Sequence, residues 1–160
     1  MKDLLNLDIA LELLIAGKMM IALVLGAIIG FDRELHGRDA GIRTYAAVSV
    51  GATIFTSAAA HIVNDPSAAS RIVANIITGV GFLGAGIIYR DGKGSSRGLT
   101  TAATVWCTAA VGVAVGLNML VIASGATAIL YGLLSLHHQS WYIAWNKKRA
   151  QKHSRQESDQ

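Results

Sequence analysis

Long uncharged stretches set the pattern of this chain. No Asp, Glu, Lys or Arg occurs in the 21 residues from Thr44 to Asn64, in the 18 from Ile72 to Tyr89, or in the 49 from Gly98 to Asn146. A bilayer core about 30 Å thick is crossed by about 20 apolar residues of helix. The first two stretches therefore predict one crossing each. The third is far too long for one crossing at about 1.5 Å per residue, so it must fold back on itself. Gly116-Leu117-Asn118 is the turn-forming place near its middle. A further segment, Leu13–Phe31, is apolar apart from Lys18. Lys18 is close enough to the segment's start to snorkel toward the interface. A cleaved signal peptide would need leading basic residues and a small-residue cleavage site. Here Lys2 is offset by Asp3, Asp8 and Glu12, and Phe31-Asp32-Arg33 is no such site. The segment is read as a retained helix.

The pattern thus predicts an all-α integral membrane protein of five helices: Leu13–Phe31, Thr44–Val63, Arg71–Tyr89, Gly98–Val115 and Met119–Leu136. The basic residues orient it. Arg33, Arg38 and Arg43 lie in the first connection, Arg90, Lys93 and Arg97 in the third, and Lys147, Lys148, Arg149, Lys152 and Arg155 in the tail. With five helices these eleven share one side, against Lys2 and Arg71 on the other. The positive-inside rule puts the rich side in the cytoplasm. Residues 1–12 then form an extracytoplasmic N-terminus, 13–136 the membrane domain, and 137–160 a basic cytoplasmic helix end and tail. About 24 residues follow Leu136, too few for a soluble C-terminal domain.

Composition narrows the classes. Of 160 residues, 52% are apolar and 15% charged, against about 25% charged in an ordinary soluble domain. Such apolar content excludes a disordered chain. Cys107 is the only cysteine, so no disulfide framework exists, and it reads as a core thiol. The pI of 9.5 raises nucleic acid as a partner. The basic excess lies beside predicted membrane helices, so attraction to anionic lipid explains it and nucleic acid is set aside. Trp141, Tyr142 and Trp145 stand where an aromatic belt would anchor the last helix.

Glycine is frequent inside the predicted helices. Gly26 and Gly30 form a GxxxG pair in the first, and Gly112 and Gly116 another in the fourth. Helices in lipid associate through small residues that let backbones approach. The third helix carries Gly79, Gly81, Gly84 and Gly86. Three readings stand for this run: packing within the chain, a broken helix lining a site, or a face for a second copy.

Polar residues cluster between the first two helices: Asp32, Arg33 and Glu34, then Arg38, Asp39 and Arg43, followed by Thr44. A solvated loop of mutual pairs explains them. The alternative is a Mg²⁺ site on Asp32 and Glu34, since that ion is held by one or two carboxylates plus waters. Asn75, early in the third helix, reads as interhelical glue or as pathway lining. Arg97 is placed to pair with an acid of the first connection. Thr100 or Thr101 is placed to cap the fourth helix or back-bond within it. His36, His61, His137, His138 and His153 pair into no metal set. Neither a phosphate-binding loop, a dinucleotide fingerprint nor a hydrolase motif occurs, which predicts a non-enzyme.

The run from Gly26 through Gly30 to Asp32-Arg33-Glu34, then Ala40-Gly41-Ile42-Arg43-Thr44, then Gly79 to Gly86, then Arg97-Gly98-Leu99-Thr100-Thr101 to Trp106 resembles the MgtC/SapB family. The resemblance covers about Ile15 to Leu136. It implies a multi-pass protein of the bacterial inner membrane with five helices and a cytoplasmic C-terminus. It carries over Asp32, Arg33, Glu34, Arg43, Thr44, Gly79, Gly81, Gly84, Gly86, Arg97, Gly98, Thr100, Thr101 and Trp106 as motif residues. Position 32 departs, because the family usually has Glu there. The family is tied to growth in low magnesium and to survival of pathogens in macrophages, and some members bind membrane proteins, including the F-type ATP synthase. The resemblance implies a regulator of magnesium or acid stress acting through helix contacts, as a homo-oligomer or with such a partner. The alternative is a channel or carrier for Mg²⁺ or another divalent cation. No cofactor is required beyond that ion.

Overall fold

The computed structural model describes residues 9–62, 66–92 and 95–136. Five helices follow one another: α1 Ile9–Leu35, α2 Ile42–Ile62, α3 Pro66–Ile87, α4 Leu99–Gly116 and α5 Leu120–Ser135. All five expected helices exist, with ends shifted by a few residues. α1 runs four residues further at each end because its polar termini, Glu12 and Asp32-Arg33-Glu34, continue the helix. The aromatic belt, the basic tail and the first eight residues lie outside the described residues.

By length and composition, α1, residues Ala69–Ile87 of α3, and α4 could each cross a membrane, and α5 is apolar but shorter. α2 falls outside that group for a structural reason. Its Ser49, Thr53, Thr56 and Ser57 lower its hydropathy, yet all four are buried inside the bundle. α2 packs against α1, α3 and α4, while α5 packs against α1 and α4. The core therefore sits between α1, α2 and α4. Ile29, Tyr45, Val105, Val111 and Val115 fill it.

Glycine sets the helix spacing. A methyl group on Gly26 would lie 2.7 Å from the Tyr45 carbonyl oxygen, and one on Gly30 2.6 Å from the Ile42 Cα. One on Gly112 would run into the Ser49 carbonyl, and one on Gly116 would reach 2.7 Å from the Thr56 Cβ. Both GxxxG pairs thus face α2, one from each side. Close approach also allows a bond between helices: the Thr53 hydroxyl donates to the Gly112 carbonyl at 2.8 Å, as well as to Ser49 in its own helix at 2.9 Å.

The turn between α4 and α5 falls at the expected residues. Asn118 takes a positive φ of 62°. Its N–H bonds to the Val115 carbonyl at 3.0 Å, and that of Met119 to Ala114 at 2.8 Å. These two bonds satisfy the free carbonyls at the helix end, with Asn in the left-handed position that glycine usually fills.

The bundle departs from one expectation and from one of the three readings of the glycine run. Lys18 does not reach for the interface: it is 5% exposed, and its ammonium donates to the Gly116 carbonyl at 3.0 Å. The negative end of α4 is the nearer acceptor, so the side chain turns inward. α3 is also unbroken from Pro66 to Ile87, glycine run included. Its backbone bonds within the helix outweigh a propensity cost of about 1 kcal/mol per glycine.

Candidate functional site

Most of the charged motif residues collect at one end of the bundle, where α1 and α3 finish and α2 and α4 start. The connection from α3 to α4 is a short hairpin. Tyr89–Arg90 pairs antiparallel with Ser96–Arg97, so this region is not purely helical. Asp91 holds it together. Its carboxylate accepts from the Ser95 N–H at 3.0 Å and from the Arg97 Nε at 3.1 Å. Arg97 thus pairs locally, not with an acid of the first connection. The reason is proximity, because the hairpin register sets Arg97 opposite Tyr89, two residues before Asp91.

Gly98 turns the hairpin into α4 with φ of 85°. A side chain there would collide with the Ile87 carbonyl oxygen. Left-handed backbone and lack of space both require glycine at this point. Gly98 is also the N-cap, and no side chain caps the helix there. Neither Thr100 nor Thr101 takes that role. The Thr104 hydroxyl donates to the Thr100 carbonyl at 2.6 Å, and the Thr101 hydroxyl accepts from Arg33 Nη2 at 2.8 Å.

Arg33 and Asp32 are buried to 6% and 5% exposure at the end of α1. Among the described residues the Arg33 Nε has no hydrogen-bond partner. The Tyr45 hydroxyl is buried beside Arg33 and Thr104 but makes no hydrogen bond to them. His36, one turn after Asp32, places its Nδ1 2.5 Å from the Asp32 carbonyl oxygen and 3.6 Å from the carboxylate. Asp32, Arg33 and His36 open onto a recess of about 530 Å³ with both charged and apolar walls, bounded further by Arg38, Gly98, Thr100, Thr101 and the end of α5.

Glu34 lies outside this recess. Its Oε2 accepts the Ile42 N–H at 2.9 Å, which caps α2 from the preceding helix. Gly41 leaves room for that carboxylate, because a methyl group there would lie 2.5 Å from Oε2. Asp32 stands beside His36 at the recess, whereas Glu34 is bonded to the α2 backbone. Among the described residues no three of His, Cys, Asp or Glu gather as a metal site. Arg43 and Thr44 are exposed on the first turn of α2.

The remaining motif residues lie along α3 and its neighbours. Asn75 and Gly79 line an open groove of about 540 Å³ between α2 and α3, with Ala47, Gly51 and Phe55 on its other wall. Gly84 faces α4, where a methyl group on it would lie 3.6 Å from the Ala102 Cβ. Among the described residues, nothing stands within 4 Å of where a side chain on Gly79, Gly81 or Gly86 would lie. Trp106 borders a small crevice between α3 and α4 with Val73, Ile77 and Ala110. Cys107 is half-buried.

Sequence reasoning missed Tyr45 and the buried hydroxyls of α2. A signal for the latter was present: Ser49, Thr53, Thr56 and Ser57 recur at the helical period and mark one face. Nothing in the sequence signalled His36 and Arg38 as neighbours of Thr101.

Over residues 19–140 the chain matches the MgtC family. It is 45% identical over 112 residues to Protein MgtC of Salmonella typhimurium, covering 70% of this chain and 47% of that protein. It is 44% identical over 115 residues to Protein MgtC of Brucella abortus, covering 72% and 48%. The chain spans about half the length of these curated relatives. No solved structure matches it.

Proposed function

We propose, starting from the fact that the chain belongs to the MgtC family, that it is a non-enzymatic regulatory protein of the bacterial inner membrane. It acts in adaptation to magnesium limitation or acid stress, through helix contacts with other membrane proteins. In this reading all five helices cross the bilayer. The basic connections and the recess face the cytoplasm, as the positive-inside rule requires.

The observation that carries the reading is the outer face of α3. Only 6% of its apolar window is buried within the chain, and among the described residues nothing lies within 4 Å of a side chain placed on Gly81 or Gly86, nor on Gly79 at the groove beside α2. Glycine on a lipid-facing surface gives up side-chain contact, but it lets another helix approach closely. The face suits a second copy of the chain or a helix of a larger membrane complex such as the F-type ATP synthase.

Gly81→Leu in the full chain tests this. Crosslinking in native membranes should lose self-association and partner association, while membrane insertion is unchanged. Association that survives Gly81→Leu and Gly79→Leu would overturn the reading. Gly84 is unsuitable for the test, because it packs against Ala102 inside the fold.

A further inference from the structure

The recess at the end of α1 has a lining that the helix-contact reading does not use. Its floor is the start of α4. The first N–H groups of a helix have no partner within it, and Gly98 brings no side chain to cap them. An uncapped helix start carries partial positive charge and favours anions. Here that feature does not stand alone. The Arg33 side chain lines the same recess, is more than nine-tenths buried, and among the described residues has no carboxylate within ion-pair distance. Burying a cation without a counter-charge is costly unless something completes it.

Charge and shape narrow the ligand. Arg33 and Arg38 bring two cations, and Asp32 brings one carboxylate beside His36. The balance is positive before the helix start is added. A guanidinium matches phosphate oxygens in geometry as well as charge. The other wall is apolar: Leu133, Leu134 and Leu136 of the α5 end. A volume of about 530 Å³ exceeds a bare ion and accommodates a phosphate ester with part of its alcohol.

We propose that this recess binds a phosphate group, held by Arg33, Arg38 and the N-terminal N–H groups of α4. Either a phospholipid headgroup or free phosphate would supply it. The apolar wall continues the first of these toward acyl chains.

The test uses the full chain purified in a neutral detergent. Three probes are compared: phosphatidylglycerol, a neutral glycolipid with the same acyl chains and no phosphate, and inorganic phosphate against chloride at equal ionic strength. Native mass spectrometry reads lipid retention, and thermal unfolding reads protection by the ion. Phosphatidylglycerol retained over the glycolipid, with affinity falling about tenfold in Arg38→Gln and at least as much in Arg33→Gln, supports a headgroup site. Protection by inorganic phosphate that Arg38→Gln removes supports a free-phosphate site. Equal retention of the glycolipid without protection by phosphate overturns the proposal, as does unchanged binding in Arg38→Gln. Arg38 is exposed, so its variant keeps the fold and decides the matter even where Arg33→Gln fails to fold.

Discussion

The ammonium of Lys18 donates to the carbonyl of Gly116 at 3.0 Å, joining the early part of α1 to the last turn of α4. A cation at a helix C-terminus is favoured by the dipole and satisfies a carbonyl that has no partner within the helix. The contact closes one end of the α1–α4 pair, as the bond from Arg33 to Thr101 closes the other.

Lys18→Ala should therefore lower stability by about 2 kcal/mol, the range for a hydrogen bond involving a charged group. Thermal unfolding in detergent checks this. Lys18→Arg should recover part of the loss, because a cation remains. A midpoint unchanged in Lys18→Ala would mean that the bond contributes nothing net after desolvation of the lysine.

Glycines that look alike in the sequence should respond in opposite directions. Gly112→Ala pushes a methyl group into the Ser49 backbone and should cost about 1–3 kcal/mol, the usual range for overpacking. Gly81→Ala meets nothing and should be neutral or stabilise by up to about 1 kcal/mol through helix propensity. Equal effects at the two positions, measured on the isolated chain, would contradict the packing described.

Two turn positions differ in what they tolerate. Asn118 holds φ of 62° at the turn between α4 and α5. Asn118→Gly should leave stability nearly unchanged, and Asn118→Val should cost about 1–2 kcal/mol for left-handed backbone. Gly98 combines φ of 85° with contact against Ile87. Gly98→Ala should be worse than Asn118→Val and should also disturb the Arg33–Thr101 end of the bundle. Chemical unfolding of the three variants ranks them.

Glu34 is placed as a cap, and its substitutions separate that role from ion transport. Glu34→Ala should cost about 1 kcal/mol, as loss of a capping oxygen does. Glu34→Gln keeps an oxygen acceptor and should cost less. In liposomes loaded with a Mg²⁺ indicator, the regulatory reading expects wild-type flux equal to that of empty vesicles. Flux that is present and vanishes in Glu34→Gln, with folding intact, would replace that reading with divalent cation transport.

The sequence by itself determined the helices and the turn between the last two. Long uncharged runs cannot be anything but buried or lipid-facing, and a 49-residue run must fold back. Gly116-Leu117-Asn118 was legible because few residues accept left-handed backbone. The GxxxG pairs were legible as packing surfaces for the same local reason. Only the tertiary structure decided which neighbour each surface meets. Gly112 and Gly81 share a residue type, but one faces Ser49 and the other faces nothing. Lys18 turned inward because α4 ends beside it, 98 positions away in the chain. Arg97 found Asp91 because of a hairpin register. Arg33 met Thr101 because α1 and α4 lie antiparallel in the core. Helical periodicity assigns a residue to a face, whereas the order of helices around the bundle assigns that face its partner. That order is a property of long-range packing, which no local pattern carries.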